Sequence, residues 1–318
     1  MHLPQKSELM LTAPAATMPS MSRSSSGALF CIASGAAFGA MAVFGKLAYD
    51  EGATVGTLLG VRFTLAAAMF WLLIPRHEIR ALPRRDIRTG LALGAGGYAL
   101  QAGCYFVALG RIEAPLLGLL LYTFPAIVAV AAVALGRERF GSRHVIAVCL
   151  AGGGLTLALA GASDGALDPL GVALGLGAAV VYSAYILVSD PITRRIRPQL
   201  LATLVCTGAA VTLLAGSIAL GEFRPGDLTA AGWGWLLCLA AVSTVTAISL
   251  FFAGLERVGP TMAAILSTVE PLVTVLLALI VLGERLGAIQ LLGGALVLAA
   301  VVPATVAATR PKVAVTEG

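Results

Sequence analysis

The chain has 318 residues, of which 58% are hydrophobic and 12% are charged, and its mean hydropathy is +0.94. Soluble domains carry about 25% charged residues, so this composition excludes an ordinary soluble domain and indicates a protein that sits in a lipid bilayer. The net charge of +5 is modest, and we expect neither a nucleic-acid partner nor a cofactor.

The chain begins with a polar segment and continues as a series of apolar runs. Residues 1–24 predict a flexible tail in the cytoplasm, and Met21 is an alternative start. Ten apolar segments of about 20 residues follow, the length that a helix needs to cross about 30 Å of hydrocarbon. They are residues 27–48, 54–74, 87–109, 115–135, 143–162, 169–189, 199–220, 229–252, 260–282 and 288–308. Because a backbone in lipid must satisfy its own hydrogen bonds, each is predicted to be a helix.

Proline and basic residues punctuate these segments. The prolines near span ends, Pro191 among them, fall in or beside the proposed connections, where a missing N–H is tolerated. With the N-terminus inside, 16 of the 21 Lys and Arg residues lie on the cytoplasmic side and four on the outer side. This bias predicts that both termini are cytoplasmic.

The two halves of the chain match each other at a fixed offset. Residues 110–141 superpose on residues 256–287 with a shift of 146, which aligns Pro125 with Pro271. We therefore predict an all-α protein of two five-helix repeats, residues 25–162 and 163–309, followed by a short cytoplasmic tail at 310–318. Five spans is an odd number, so the second repeat is predicted to be inverted, an arrangement that supports alternating access to a site at the membrane midplane.

Short motifs recur in both halves. Gly60-Val61-Arg62-Phe63 lies in the second span, Phe124-Pro125 precedes Gly136-Arg137-Glu138-Arg139, and Glu270-Pro271 precedes Leu282-Gly283-Glu284-Arg285. This pattern resembles the EamA-type branch of the drug/metabolite transporter superfamily over residues 27–308. The resemblance implies a ten-helix carrier in the bacterial inner membrane, commonly an exporter of amino acids or other metabolites, with a central cavity between the halves. The seventh span has no counterpart of Arg62.

Three of the charged side chains within or at the ends of spans are candidates for a functional role. Glu270 lies near mid-membrane, where a charged carboxylate costs about 2.5–3.5 kcal/mol unless it has a partner, a proton or a wet cavity. It is interpreted either as a substrate-ammonium or proton site, or as a carboxyl that bonds backbone groups loosened by Pro271. Arg62 could hold a substrate carboxylate or tie helices together. Lys46 is interpreted as a snorkelling side chain or a residue at the cavity mouth.

Polar residues at helical spacing predict the cavity wall. Tyr98, Gln101 and Tyr105 share one face of the third span, and Tyr182, Tyr185 and Ser189 share one face of the sixth. The eighth span has a looser polar face of Ser243, Thr246 and Ser249, and Tyr122 lies in the fourth span three residues before Pro125. Such groups either line a cavity for amphipathic solutes or hydrogen-bond across packed helices. Pro125 and Pro271 are predicted helix hinges, and Glu138 and Glu284 are interpreted as interfacial ion pairs with neighbouring arginines.

Other classes of function fit less well. The five cysteines lie in apolar runs without metal-ligand spacing. The three histidines are expected in the tail or in cytoplasmic connections, with His144 at the very start of the fifth span, so neither a metal site nor a membrane-embedded enzyme is supported. A channel-like facilitator is the alternative to a secondary transporter. The substrate is expected to be a small molecule; proton antiport and uniport stay open, as do monomer and homodimer.

Overall fold

The computed structural model describes residues 23–137, 140–161, 168–193 and 195–308. The predicted tails fall almost entirely outside these ranges, as does Met21. Ten helices of the described part are long and apolar enough to cross a membrane, which confirms the predicted all-helical class. They are α1 (Ser25–Asp50), α2 (Val55–Leu73), α3 (Arg84–Leu109), α4 (Ala114–Ala134), α5 (Ser142–Ala160), α6 (Pro169–Thr193), α7 (Pro198–Ala219), α8 (Ala230–Val258), α9 (Met262–Leu282) and α10 (Ala288–Thr305). A short helix, Arg76–Arg80, joins α2 to α3.

Two spans are broken next to a proline. The first part of α4 ends at Leu121 and the second begins at Phe124, while in α9 the break falls between Ser267 and Val269. In both spans a proline stands at the start of the new segment, and proline has no N–H to bond the carbonyl four residues earlier. The predicted hinges therefore coincide with real interruptions of the helical hydrogen bonds.

A third proline corrects a predicted boundary. We expected the sixth span to end at residue 189, before Pro191, but α6 continues to Thr193 with Pro191 inside the helix. The carbonyl that Pro191 leaves without a partner is that of Leu187, and Arg137 Nη1 donates a hydrogen bond to it at 2.9 Å. A side-chain donor from another part of the chain thus replaces the missing backbone donor.

Wider helical turns interrupt three spans. π-Helical segments occupy Leu93–Tyr98 in α3, Ala241–Thr246 in α8 and Ala278–Leu282 in α9. The segment in α3 packs very closely on α7, since a Cβ atom added at Gly94 would lie 2.0 Å from the carbonyl oxygen of Val205. Glycine is therefore required there by backbone approach rather than by its own conformation.

The helices pair in a pattern that repeats between the halves. α1 packs on α8 as α6 packs on α3, and α1 packs on α9 as α6 packs on α4. The pairs α2–α7, α4–α9 and α5–α10 each join a helix to the one five places further along the chain. These pairings therefore stay the same when helices of the first half are exchanged for those of the second.

Short connections make consecutive spans cross in opposite directions, so ten spans return the chain to the side on which it started. We call the side where α1 begins and α10 ends the terminal side, and the opposite side the far side. Large apolar side chains such as Leu73 and Ile280 are exposed on the outside of the bundle, as expected for a surface that faces lipid.

Candidate functional site

A cavity of about 500 Å³ is lined by residues of both halves. Nine of the ten spans contribute to its wall, and α5 does not. Thr193, Pro198 and Thr305, at the terminal-side ends of their spans, belong to the lining, whereas no lining residue lies in the last three positions of a span at the far side. The cavity therefore runs from the membrane interior to the terminal side.

Aromatic rings make up a third of the wall. The ten are Phe38, Tyr98, Tyr105, Phe106, Tyr122, Phe124, Tyr182, Tyr185, Phe251 and Phe252. Part of this set forms a continuous row from α3 through α6 to α4: ring centroids are 5.6 Å apart for Tyr98–Tyr185, 6.3 Å for Tyr182–Tyr185, 4.9 Å for Phe124–Tyr182 and 5.9 Å for Tyr122–Phe124. Such rings offer apolar surface and tyrosine hydroxyls side by side.

Most of the residues singled out from the sequence meet on this cavity. Eight come from the predicted polar faces, the tyrosine of α4 and the charged position of α9, and Arg62 and Pro125 join them. The eight are Tyr98, Gln101, Tyr105, Tyr122, Tyr182, Tyr185, Ser189 and Glu270. Pro271 is buried beside Glu270 without lining the cavity.

Glu270 is half-buried, and its carboxyl group faces the cavity. Its Oε2 lies 2.9 Å from Tyr122 Oη, and the same hydroxyl oxygen lies 2.9 Å from the carbonyl oxygen of Ser267. Ser267 is four residues before Pro271, so its carbonyl is the one that the proline leaves without a backbone donor. α1 packs tightly against this break, since a Cβ at Gly39 would lie 2.6 Å from the Glu270 carbonyl oxygen.

Arg62 is a buried cation on the same cavity, with 2% of its surface exposed. Its Nε donates to Thr244 Oγ1 at 3.0 Å, its Nη2 lies 3.1 Å from Met41 Sδ, and the Phe63 and Phe106 rings lie 4.9 and 5.2 Å from its Cζ. Within the described ranges, no carboxylate forms an ion pair with it. A guanidinium has five N–H groups, so donors remain for an anionic ligand.

The predicted polar face of α8 does not line the cavity. Ser243 is fully buried and donates to the carbonyl of Ala37 at 2.7 Å, while Thr246 is exposed on the outside of the bundle. The physical reason is that both residues lie in the π-helical segment Ala241–Thr246, where a residue no longer shares a face with the ones three and four places away. Their proposed substrate contact is therefore corrected to helix packing for Ser243 and to surface exposure for Thr246.

Lys46 and Glu284 form a cluster at the far side. Lys46 Nζ donates to Glu284 Oε1, and the backbone N–H of Ala114, the first residue of α4, donates to Glu284 Oε2 at 2.8 Å. The far-side cluster, meaning these three groups, joins the end of α1, the start of α4 and the α9–α10 connection. Lys46 does not border the cavity, and the expectation that Glu284 pairs with a neighbouring arginine is wrong. Glu138 lies outside the described residues.

Two more carboxylates lie near this side. Burial and, to a lesser extent, the negative charge of Glu284 raise the pKa of Glu113, while Lys46 opposes the shift. Arg111 Nη1 donates to Asp168 Oδ2 at 2.8 Å, and this hydrogen bond lowers the pKa of Asp168. The far side is thus held by several polar contacts between connections of the two halves.

Sequence reasoning missed part of the cavity wall. Phe38, Phe251, Phe252, Cys206 and Ser267 also line it. Phe38, Phe251, Phe252 and Cys206 are apolar residues among many others in their spans, and Ser267 does not share a regular polar face with its neighbours, so no change in polarity marked these positions as facing inward.

Comparison with known proteins agrees with the architecture. The EamA-like transporter family model matches residues 25–160 and 169–305. The chain is 28% identical over 276 residues to the uncharacterized transporter YcbK of Bacillus subtilis (strain 168), covering 84% of this chain and 88% of that protein. It is 28% identical over 246 residues to an uncharacterized transporter of Archaeoglobus fulgidus, covering 77% and 86%. A solved crystal structure with 20% identity has a TM-score of 0.63 over 89% of this chain and 98% of that chain, a likeness in fold alone.

Proposed function

Because the chain belongs to the EamA-like transporter family and is a multi-pass membrane transporter, we propose that it moves small zwitterionic solutes, such as amino acids, by alternating access. We place it in the bacterial inner membrane with its terminal side in the cytoplasm, and we assign export as its direction. The basic residues concentrated at the terminal-side connections support this orientation.

The observation that carries the proposal is that a basic and an acidic side chain, Arg62 and Glu270, lie on one aromatic cavity. Arg62 offers guanidinium donors to a carboxylate, and Glu270 offers an acceptor to an ammonium group. The two side chains do not pair with each other. A zwitterion would satisfy both groups at once, and tyrosine and phenylalanine rings would contact its side chain and attract its ammonium group.

The arrangement of the halves supports alternating access. Two oppositely oriented repeats would give five spans in each half and helix pairings that stay the same when the halves are exchanged, as found here. The cavity reaches the terminal side, while the far-side cluster ties α1 to α4 across the other end. This conformation corresponds to one end state of the cycle, with the cavity open to the cytoplasm.

The test is transport by the purified protein in liposomes. Labelled amino acids are compared with the matching amines, which lack the carboxylate, and the matching acids, which lack the ammonium group. We expect saturable uptake and counterflow of the zwitterions only. A difference with and without an imposed pH gradient then separates proton antiport from uniport.

Variants connect the transport to the site. Arg62→Lys keeps the charge but loses the planar fork, and we expect it to raise the half-saturation concentration by about tenfold or more, since a charge-assisted hydrogen bond contributes about 1.5–3 kcal/mol. Glu270→Gln is expected to abolish preference for the ammonium group. Arg80→Lys and Glu222→Gln, at exposed positions away from the cavity, are the matched controls. Flux without saturation or counterflow would instead indicate a channel-like facilitator.

A further inference from the structure

We infer that Tyr122 relays the protonation state of Glu270 to the helix break in α9. This inference rests on the proposed transport function, because it describes how that site would change the shape of a moving helix. It starts from a conflict in the hydrogen bonds around one hydroxyl group.

The Tyr122 hydroxyl has one hydrogen but two acceptors within reach. Its oxygen is 2.9 Å from the carbonyl oxygen of Ser267 and 2.9 Å from Glu270 Oε2. A carbonyl only accepts, and an ionised carboxylate only accepts, so a single hydroxyl hydrogen cannot serve both. Both distances are satisfied together when Glu270 carries a proton, donates it to Tyr122 Oη, and Tyr122 donates its own hydrogen to Ser267.

Loss of that proton breaks this chain of hydrogen bonds. When the Glu270 proton passes to water in the cavity, the Tyr122 hydrogen turns to the carboxylate, which is the stronger acceptor. The Ser267 carbonyl then has no donor, because Pro271 cannot supply the backbone N–H that an ordinary helix would provide. The break in α9 is therefore satisfied in the protonated state and unsatisfied in the ionised state.

A comparable carbonyl elsewhere in the protein shows what a permanent donor looks like. The Leu187 carbonyl freed by Pro191 accepts from Arg137 Nη1 at 2.9 Å, and a guanidinium has enough N–H groups to make this bond whatever its other partners do. The bond at α6 is thus independent of protonation, whereas the bond at α9 depends on it.

The surroundings of Glu270 leave Tyr122 as its direct partner. No Lys, Arg, Asp or His side chain in the described ranges bonds or pairs with the Glu270 carboxyl group. Gly35 and Gly39 of α1 pack on its backbone and carry no charge. The titratable and charged groups that face it across the cavity are Tyr98, Tyr105, Tyr182, Tyr185, Cys206 and Arg62.

The experiment follows Glu270 and α9 separately in lipid nanodiscs. Infrared difference spectra locate the titration of Glu270 through the carboxyl band that Glu270→Gln removes. Hydrogen exchange of α9 peptides, corrected at each pH with an unstructured reference peptide, measures how strongly the backbone around the break in α9 is protected. In the wild type we expect α9 exchange to rise about three- to twentyfold when Glu270 ionises, the range that side-chain hydrogen bonds give in membrane proteins, while α6 peptides around Pro191 stay constant.

Three variants test the relay. Tyr122→Phe should keep the Glu270 titration but hold α9 exchange high at every pH. Pro271→Ala should also keep the titration, but α9 exchange should stay low because its new N–H bonds Ser267. Glu270→Gln should hold α9 in its protected state. Tyr49→Phe is the matched control, because Tyr49 does not line the cavity and its hydroxyl donates to the Phe106 carbonyl at 2.8 Å. This variant should keep the pH-dependent rise in α9 exchange.

The outcomes separate this inference from the proposed function. The relay is overturned if the pH-dependent rise in α9 exchange survives Tyr122→Phe or Pro271→Ala. It is also overturned if the Glu270 carboxyl band does not change with pH. If no solute is transported while α9 exchange responds to pH and to the variants as expected, the proposed function fails and the relay stands. If zwitterions are transported but the pH-dependent rise in α9 exchange survives Tyr122→Phe, the function stands and the relay fails.

Discussion

The substitution Glu284→Gln is expected to favour opening of the far side. Glu284 accepts from the Lys46 ammonium and from the Ala114 N–H at 2.8 Å, and the Lys46 and Glu284 side chains are 20% and 14% exposed. Hydrogen bonds to charged groups contribute about 1.5–3 kcal/mol, whereas fully exposed ion pairs contribute about 0.2–1 kcal/mol. Because both groups are largely shielded, we expect the closed state to lose about 1.5–3 kcal/mol, a shift of about tenfold to a hundredfold in the open-to-closed ratio.

Accessibility of a cavity cysteine measures this shift. Met41→Cys is placed in a protein whose five native cysteines are replaced by alanine, since Met41 lines the cavity on α1. A membrane-impermeant maleimide added from the far side should label the introduced thiol faster in Glu284→Gln by about the same tenfold to hundredfold factor. Glu222→Gln makes the same chemical change at an exposed position on the same side and should leave the rate unchanged. An unaltered far-side rate in Glu284→Gln would refute the assignment of this cluster as a closure.

Two further outcomes follow from the packing and from the charges near the far side. Gly94→Ala should destabilise the protein by about 1–3 kcal/mol, because the new Cβ would lie 2.0 Å from the Val205 carbonyl oxygen. Gly96→Ala is the control, since a Cβ there meets nothing within 4 Å. Thermal unfolding in detergent compares the two variants, and equal losses of stability would contradict the close approach at Gly94. The raised pKa of Glu113 in the closed state means that this state binds a proton more tightly than an open, hydrated one, so closure should weaken as pH rises through that pKa. Glu113→Gln should flatten the pH dependence of far-side labelling, and an unchanged profile would show that another group is responsible.

The spans and the hinges were predictable because each rests on a local property of the chain. An apolar run of about 20 residues has few alternatives to a membrane helix, and a proline such as Pro271 removes a backbone donor wherever it stands. The cavity faces of α3 and α6 were predictable for a similar reason. Tyr98, Gln101 and Tyr105 follow helical spacing because the π-helical segment of α3 ends at Tyr98 and regular helix follows.

Contacts between distant parts of the chain were not predictable in the same way. Lys46 and Glu284 are separated by 238 residues, and nothing near either of them in the sequence marks the other as its partner. The polar face of α8 failed for a different reason: a π-helical segment changes the angle between successive side chains, so Ser243 turns towards α1. Sequence spacing can therefore be applied only where the helix is regular.

The position of Glu270 follows from the relation between the halves. α4 and α9 correspond to each other in the repeat, and they are also packed against each other, so their two breaks face one another. The position that matches Glu270 in the first half is Phe124, so the pair of breaks carries one carboxyl group rather than two. Two carboxylates at this crossing would repel each other, whereas Tyr122, three residues before Pro125, bonds both Glu270 and the Ser267 carbonyl. In the proposed mechanism, this asymmetry between otherwise equivalent halves would let a single proton or a single ammonium group at Glu270 act on the break in α9 through Tyr122 of α4.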